Sequence, residues 1–331
     1  MATLATTHPT LLDLARRTDP DGSIADIVEI LNQTNEVLED MMWVEGNLVT
    51  GHRTTIRTGL PVPTWRKMYG GVQPTKSTTA QITDNTGMLE AYAEVDKALA
   101  DLNGNTAEWR LSEETPHIAG MSEEVAQTLF YGNEGTEPEA FTGLSPRYNS
   151  LAAANAENII DAGGTGTDNA SVWLCVWGPS SGFGITPKGS TAGLQMEDKG
   201  QVTIESIDGA GGRMEAYRTH YRWDAGLTIR DWRYFVRIAN IDRSLLTVDA
   251  ATGANLPNLM FQALDRVPNT NGRVAWYMDR GIKVKLGQQS QLLTKNSSLT
   301  AENVGGKVTT SWMGYPIRRV DTLSPDEARV V

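Results

Sequence analysis

Apolar positions along the chain first recur at helical steps. Ile24, Ile27, Val28, Leu31, Leu38, Met41 and Met42 fall three or four residues apart behind Ser23, with Asp26 three positions into the helix as a capping-box partner. The pattern predicts one amphipathic helix after an extended, Thr-rich arm that ends at Asp19-Pro20-Asp21-Gly22.

From Val44 to about Tyr92 the period changes. Gly46 to Arg57 is Thr-rich and partly alternating, as is Lys76 to Thr86. Between them, Gly59, Pro61, Pro63, Gly70, Gly71 and Pro74 interrupt any regular element. Two polar strands flanking such a tip predict a long hairpin. Its tip carries Trp65, Arg66, Met68 and Tyr69, and its first strand carries Arg53 and Arg57. Aromatic and Arg side chains on a segment that buries little by itself suit contact with another molecule, and these six residues are the expected inter-subunit contacts.

Residues 87–131 read as helical, with a break at Asn103-Gly104-Asn105. Pro116 is placed in the first turn of the final helix, Ile118, Met121, Val125 and Leu129 form its stripe, and Gly132 suits its C-cap. A loop over 133–146 leads to a short Ala-rich helix. Strands and turns follow from Gly163 to about Ile241, including a pair at Met214–Arg222 and Leu227–Ile238. Leu256–Leu264 reads as helix, Arg273–Met278 as strand, 281–293 as containing a short helix and Lys307–Val320 as closing strands. The class is α+β, without a βαβ rhythm or an internal repeat.

Composition changes the picture in two ways. The formal net charge of -11, from 29 basic and 40 acidic residues, argues against a dedicated nucleic-acid reader with a basic stripe and does not argue against a container for DNA, whose acidic wall would repel the packed polymer. Nine Trp and nine Tyr against five Phe fit protein interfaces and a β-rich core equally well. No apolar run approaches the roughly 18 residues of a membrane span, and no signal segment opens the chain, so a cytoplasm-like compartment and no membrane partner are expected.

Candidate chemistry is thin. Cys175 is the single cysteine; it lies in the apolar run 172–177, where a buried thiol is expected, and it cannot form an intrachain disulfide. Gly178-Pro179-Ser180-Ser181-Gly182 fits a nucleophile-elbow pattern, and His220 with Asp198 or Asp208 would complete a hydrolase order. The elbow needs a helix immediately afterwards, and Gly184, Pro187, Gly189 and Gly193 argue against one. Gly163–Asp168 matches one calcium nonapeptide, but those sites need stacked repeats. Glu123 and Glu124 are adjacent, so they do not share a helix face and read as a solvated helix start. His8, His52, His117 and His220 are scattered. No enzyme activity, cofactor or metal is expected.

One resemblance organises these features. Ile27 to Met41, then Glu45-Gly46-Asn47 and Arg57-Thr58-Gly59-Leu60-Pro61, resemble the opening of the short-tailed-phage major capsid family. Phe130-Tyr131-Gly132-Asn133 and Phe141-Thr142-Gly143-Leu144 continue the likeness, and Trp312-Met313-Gly314-Tyr315-Pro316-Ile317 is similar to the strand that often closes such chains. The resemblance implies the fold of tailed-phage and herpesvirus-type capsid subunits. In that scheme 1–43 is an N-terminal arm and helix, 44–92 the extended loop, 93–150 the spine-helix and peripheral region, and 151–331 a mixed axial and peripheral body.

It further implies hexamers and pentamers on an icosahedral shell, assembled in the host cytoplasm as a procapsid that expands on packaging double-stranded DNA. Portal, scaffolding and cement or decoration proteins are the implied partners, and the virion capsid is the implied location. Some family members cross-link through a loop lysine and a neighbour's asparagine. Lys67 and Lys76 lie in the loop here, but neither the asparagine nor the catalytic glutamate can be matched, so a non-covalent shell is expected. The competing readings are a tail-tube or decoration subunit, and a serine hydrolase using Ser180 and His220.

Overall fold

The computed structural model describes residues 35–102, 106–205, 211–248, 250, 252–292, 299–304 and 307–331. The arm and the helix start at Ser23 lie outside them. The described chain divides into two compact units. One comprises 88–125 and 191–224, the other 35–87, 126–190 and 225–331. Mixed helices and strands throughout make the class α+β.

The larger unit is built on a seven-stranded mixed sheet. Its elements are α1 (Val37–Asp40), β1 (Trp43–Glu45), β2 (Gly51–Gly59), the start of β3 (Thr78–Asp96), the end of α3 (Thr106–Tyr131), α4 (Leu144–Arg147), β4 (Ile159–Asp161), β5 (Asn169–Trp177) and β6 (Gly182–Thr186). They continue with the end of β8 (Arg213–Ile229), then β9 (Phe235–Asp242), α5 (Leu256–Arg266), β10 (Arg273–Met278), α6 (Arg280–Leu292), β11 (Leu299–Val304), β12 (Lys307–Trp312) and β13 (Tyr315–Arg319). The sheet order is β11-β12-β13-β10-β5-β9-β4, with β10 parallel to β13 and β4 parallel to β9.

Every residue of β5 and β9 is buried, because both faces are covered and an apolar run is then stable without alternation. On one face Trp173 meets Phe130 and Tyr148 edge-on or tilted. Trp177 packs on Phe235 and donates its indole N–H to the Tyr277 hydroxyl (2.8 Å). That hydroxyl donates to Asp40 (3.1 Å), whose carboxylate also receives Arg318 and Arg273. A buried carboxylate is thereby paired twice, which offsets its desolvation.

The C-terminal residues are held by the same sheet. Glu327 pairs with Arg237 (2.8 Å), both about 5% exposed or less, and accepts from the hydroxyls of Tyr131 and Ser171. Asn240 exchanges two hydrogen bonds with the Val330 backbone, at 2.8 and 2.9 Å. Burial and the neighbouring Glu327 carboxylate both push the Tyr131 phenol upward, so it stays protonated and donates.

The smaller unit contains the second half of β3 from Met88, α2 (Lys97–Asp101), the first twenty residues of α3, β7 (Leu194–Glu205) and most of β8. β7 and β8 form a long antiparallel hairpin with a register shift between Asp198 and Gly200. Two apolar clusters fill the unit: Val95, Ala100 and Trp109 with Leu99 and Tyr217, and Ala93, Met121 and Tyr221 with Leu89, Ala91, Leu194 and Trp223.

Five sequence-based expectations are corrected here. Among the described residues the helix expected to run to Met42 covers Val37–Asp40 and stops short of Met42, since Trp43–Glu45 pairs in parallel with Gly184–Thr186 and must be extended. Residues 88–96 are strand, not helix. Leu89, Ala91, Ala93 and Val95 pack inward at alternate positions, so ladder pairing overrides the helix propensity of Met, Leu, Ala and Glu. Pro116 does not open a helix but sits inside one that begins ten residues earlier. Burial of Trp109 and Met121 either side of it offsets the roughly 3 kcal/mol cost of an interior proline.

The Ala-rich stretch forms turns and a 3-10 turn (Ala156–Asn158) instead of an α-helix. The reason is Asn158, whose buried amide bonds the carbonyls of Trp232, Arg233 and Phe235. Leu227 belongs to β8 and not to a second strand; the break falls at the 3-10 turn Trp232–Tyr234, capped by Asp231.

Candidate assembly surfaces

The hairpin expected between residues 44 and 92 exists, and all of its contact candidates lie in the larger unit. β2 and β3 pair from Gly51↔Asn85 to Gly59↔Thr78, with a bulge between Arg57 and Gly59. Beyond Gly59 the ladder ends, because Pro61, Pro63 and Pro74 lack the N–H that a ladder needs. Residues 60–77 contain no strand or helix. Their local order is a turn in which Gly70 N–H donates to Lys67 O (3.1 Å) and Arg66 Nε donates to Gly70 O (2.9 Å). Tyr69 takes a left-handed backbone at φ 60° to close it.

Trp65 and Tyr69 at this tip are fully exposed and Met68 is 92% exposed. Burying such side chains is worth roughly 1.5–3 kcal/mol each, none of which one copy gains. Leu60 and Val62 are exposed beside them. Lys67 and Lys76 are exposed too.

Arg53 and Arg57 are exposed on β2 and face a cleft of about 840 Å³. The opposite wall is the turn after β8, with Arg230, Asp231, Trp232 and Arg233, and Ser180 lies at its edge. Local sequence reading missed Arg230 and Arg233, which are far from Arg53 along the chain and arrive only through the fold. Arg230 caps the Phe183 ring at 5.2 Å and donates to Pro179 O (2.8 Å). Asp231 is committed to Arg233 at 2.7 Å, and that guanidinium helps hold its carboxyl below the ordinary value against the opposing effect of burial.

The elbow that a hydrolase needs does not form, and the candidate Asp208 lies outside the described residues. Ser180 lies in the turn between β5 and β6, so a strand and not a helix follows it, whereas His220 belongs to β8 in the other unit. There His220 stacks on Tyr92 (4.5 Å) and lies 3.4 Å from Glu90. Gly163–Asp168 serves as a connection in which Asp168 accepts from Ser244 N–H. Among the described residues no group of His, Cys, Asp or Glu could hold a metal ion, and no helix is long and apolar enough to cross a membrane. Cys175 is buried, and burial raises its thiol well above the ordinary value.

Comparison with known proteins fits surfaces of this kind. Residues 19–331 match the family described as major capsid protein GP7. A chain in the structure of bacteriophage epsilon15 is similar at 40% identity, with a TM-score of 0.79, covering 100% of this chain and 99% of that one. Fainter likenesses include the bacteriophage JBD30 capsid (10% identity, TM-score 0.44, 78% and 83% covered). Another is the holo-SrpI encapsulin complex of Synechococcus elongatus (10% identity, TM-score 0.44, 71% and 97% covered). A search of curated proteins returned no match.

Proposed function

The chain belongs to the major capsid protein GP7 family and is a structural phage protein that forms a capsid shell with itself, and from that premise we propose how it does so. Copies associate as hexamers and pentamers of an icosahedral shell that encloses double-stranded DNA without reading its sequence. The tip residues Trp65, Arg66, Met68 and Tyr69, with Arg53 and Arg57 behind them, make the contacts between copies. The shell is held without covalent cross-links, through overlapping loops. Cement or decoration, scaffolding and portal proteins are its further partners, and assembly takes place in the host cytoplasm.

The observation that carries this reading is the tip. A Trp, a Met and a Tyr stand clear of their own fold on a segment without regular structure. Apolar exposure of that kind is stabilised only by a second surface, and many weak contacts closing on themselves add through effective concentration. The acidic balance of -11 suits a wall facing a polyanion, which is contained without being bound.

Expression of the full chain, followed by size exclusion and negative-stain microscopy, tests the reading. Shells, sheets or capsomer rings are expected. A discrete monomer across the micromolar range would overturn it, and a Ser180-dependent esterase activity would favour the hydrolase instead.

A further inference from the structure

Among the described residues the basic cleft beside the hairpin carries more cations than anions. Four guanidinium groups surround it, from Arg53, Arg57, Arg230 and Arg233. Its one carboxylate, Asp231, is already bound to Arg233. Among the described residues Arg53, Arg57 and Arg230 pair with no carboxylate; Arg53 reaches only the Thr83 hydroxyl (3.3 Å), and Arg230 only a carbonyl, His52 and a ring face. This concentration of positive charge stands in a chain of net charge -11. Ile56, Leu60 and Trp232 add apolar wall between the charges.

A matching acidic feature lies elsewhere on the same unit. The loop after α3 carries Glu134, Glu137 and Glu139 within six residues, with no Lys or Arg from Tyr131 to Pro146. Its shape is set in advance: Thr136 and Glu137 donate to Asn133 O (3.0 and 2.9 Å), Ala140 donates to Glu137 O (3.0 Å), and Gly135 donates to the Asn133 side chain (3.0 Å). A preformed loop loses little freedom on docking. Glu137 and Glu139 are exposed and have no cationic partner among the described residues.

None of residues 133–139 lines the cleft, although Arg53, only two residues along β2 from Gly51, is much nearer that loop than Arg57. Glu134 is tied by Asn85, which stands opposite Gly51 at the start of the ladder. Arg57 lies six residues further along β2, about 20 Å away at about 3.3 Å per residue.

We propose that the cleft between β2 and the turn at Arg230–Arg233 receives the acidic loop 133–139 of a second copy of this chain, with Glu137 and Glu139 answering Arg53, Arg57 and Arg230. The proposal rests on the capsid reading. Complementary patches at two different places on one subunit make a heterologous contact, the kind that forms a ring where its rotation closes. Charge pairing of this sort fixes register and speeds encounter, while the apolar tip supplies burial. A nucleic acid is the less fitting occupant: the cations line a short cleft and not a track, on a chain that repels polyanions overall.

Charge reversal in the full-length chain tests it. Arg53→Glu with Arg57→Glu, and separately Glu137→Arg with Glu139→Arg, should each abolish the particles that wild type forms, with circular dichroism unchanged. All four changes together should restore them. Milder Arg57→Gln and Glu137→Gln variants should weaken assembly and make it more salt-sensitive, which covers the case of a reversed variant that misfolds. If wild type assembles and the glutamate reversals assemble equally well, the proposal fails and the capsid reading stands. If wild type itself forms no particles, the capsid reading fails and the cleft assignment falls with it. Retention of a short labelled DNA duplex that is lost on arginine reversal, with assembly intact, would assign the cleft to nucleic acid and overturn the proposal.

Discussion

Glu327 and Arg237 show how much one buried pair can decide. Both are almost wholly removed from water, and the carboxylate also takes the Tyr131 and Ser171 hydroxyls. Removing one partner leaves the other charged and buried, a loss of about 3–5 kcal/mol. Glu327→Ala is expected to destabilise the unassembled chain by that amount in urea unfolding; a loss under about 1 kcal/mol would show that water reaches Arg237.

His52 is the corresponding pH-sensitive residue. Burial first, and then Arg230, hold its imidazole below the ordinary 6.5, with Asp84 opposing. The unfolded chain therefore takes up this proton at higher pH than the folded one. The stabilising contribution is complete above 6.5 and fades as pH falls through 6.5 toward the lower folded value. Thermal melts of wild type and His52→Gln should diverge below neutral pH, with wild type losing more, and should run parallel from pH 7 to 8.

At the scale of elements, the hairpin separates a paired base from an unpaired tip. The β2–β3 ladder reaches Gly59↔Thr78, so deleting 60–75 leaves Lys76 and Ser77 as a two-residue connection, a length that hairpins favour. Shortening a loop that packs on nothing costs little folding free energy. The deletion should keep its melting temperature within a few degrees of wild type and lose assembly by electron microscopy. If it unfolds, the tip belongs to the core. Helix α3 was expected from its stripe, of which Met121, Val125 and Leu129 are buried while Ile118 is exposed. Its first ten residues fall in the stretch read as helical after the break at 103–105, but Pro116 was expected to open the helix, whereas Trp109, clustered with Val95 and Ala100, keeps Thr106–Thr115 in it.

For the whole molecule, function as proposed is spread over surfaces that a second copy would cover. Among the described residues, the apolar side chains of the tip, Arg53, Arg57 and Arg230 of the cleft, and Glu137 and Glu139 of the acidic loop have no matching partner. Assembled particles held only by such contacts should release intact 36.1 kDa chains when boiled in detergent. A ladder of covalent multimers on the gel would instead point to cross-linking through Lys67 or Lys76.

The sequence by itself determined what depends on local chemistry. Prolines and glycines at 59–74 forbid a ladder and make a tip; the run at 172–177 has too many apolar residues for an exposed strand; the missing helix after Ser180 removes a nucleophile elbow. Resemblance at 27–61 and 312–317 carried the family, since those residues stand in recognisable order. Tertiary structure alone decided the rest. Residues 88–96 have helix-forming side chains, and only pairing with partners distant in the chain makes them strand. Arg230 and Arg233 join Arg53 and Arg57 across some 180 residues, and no local pattern reports a contact whose partner lies that far along the chain.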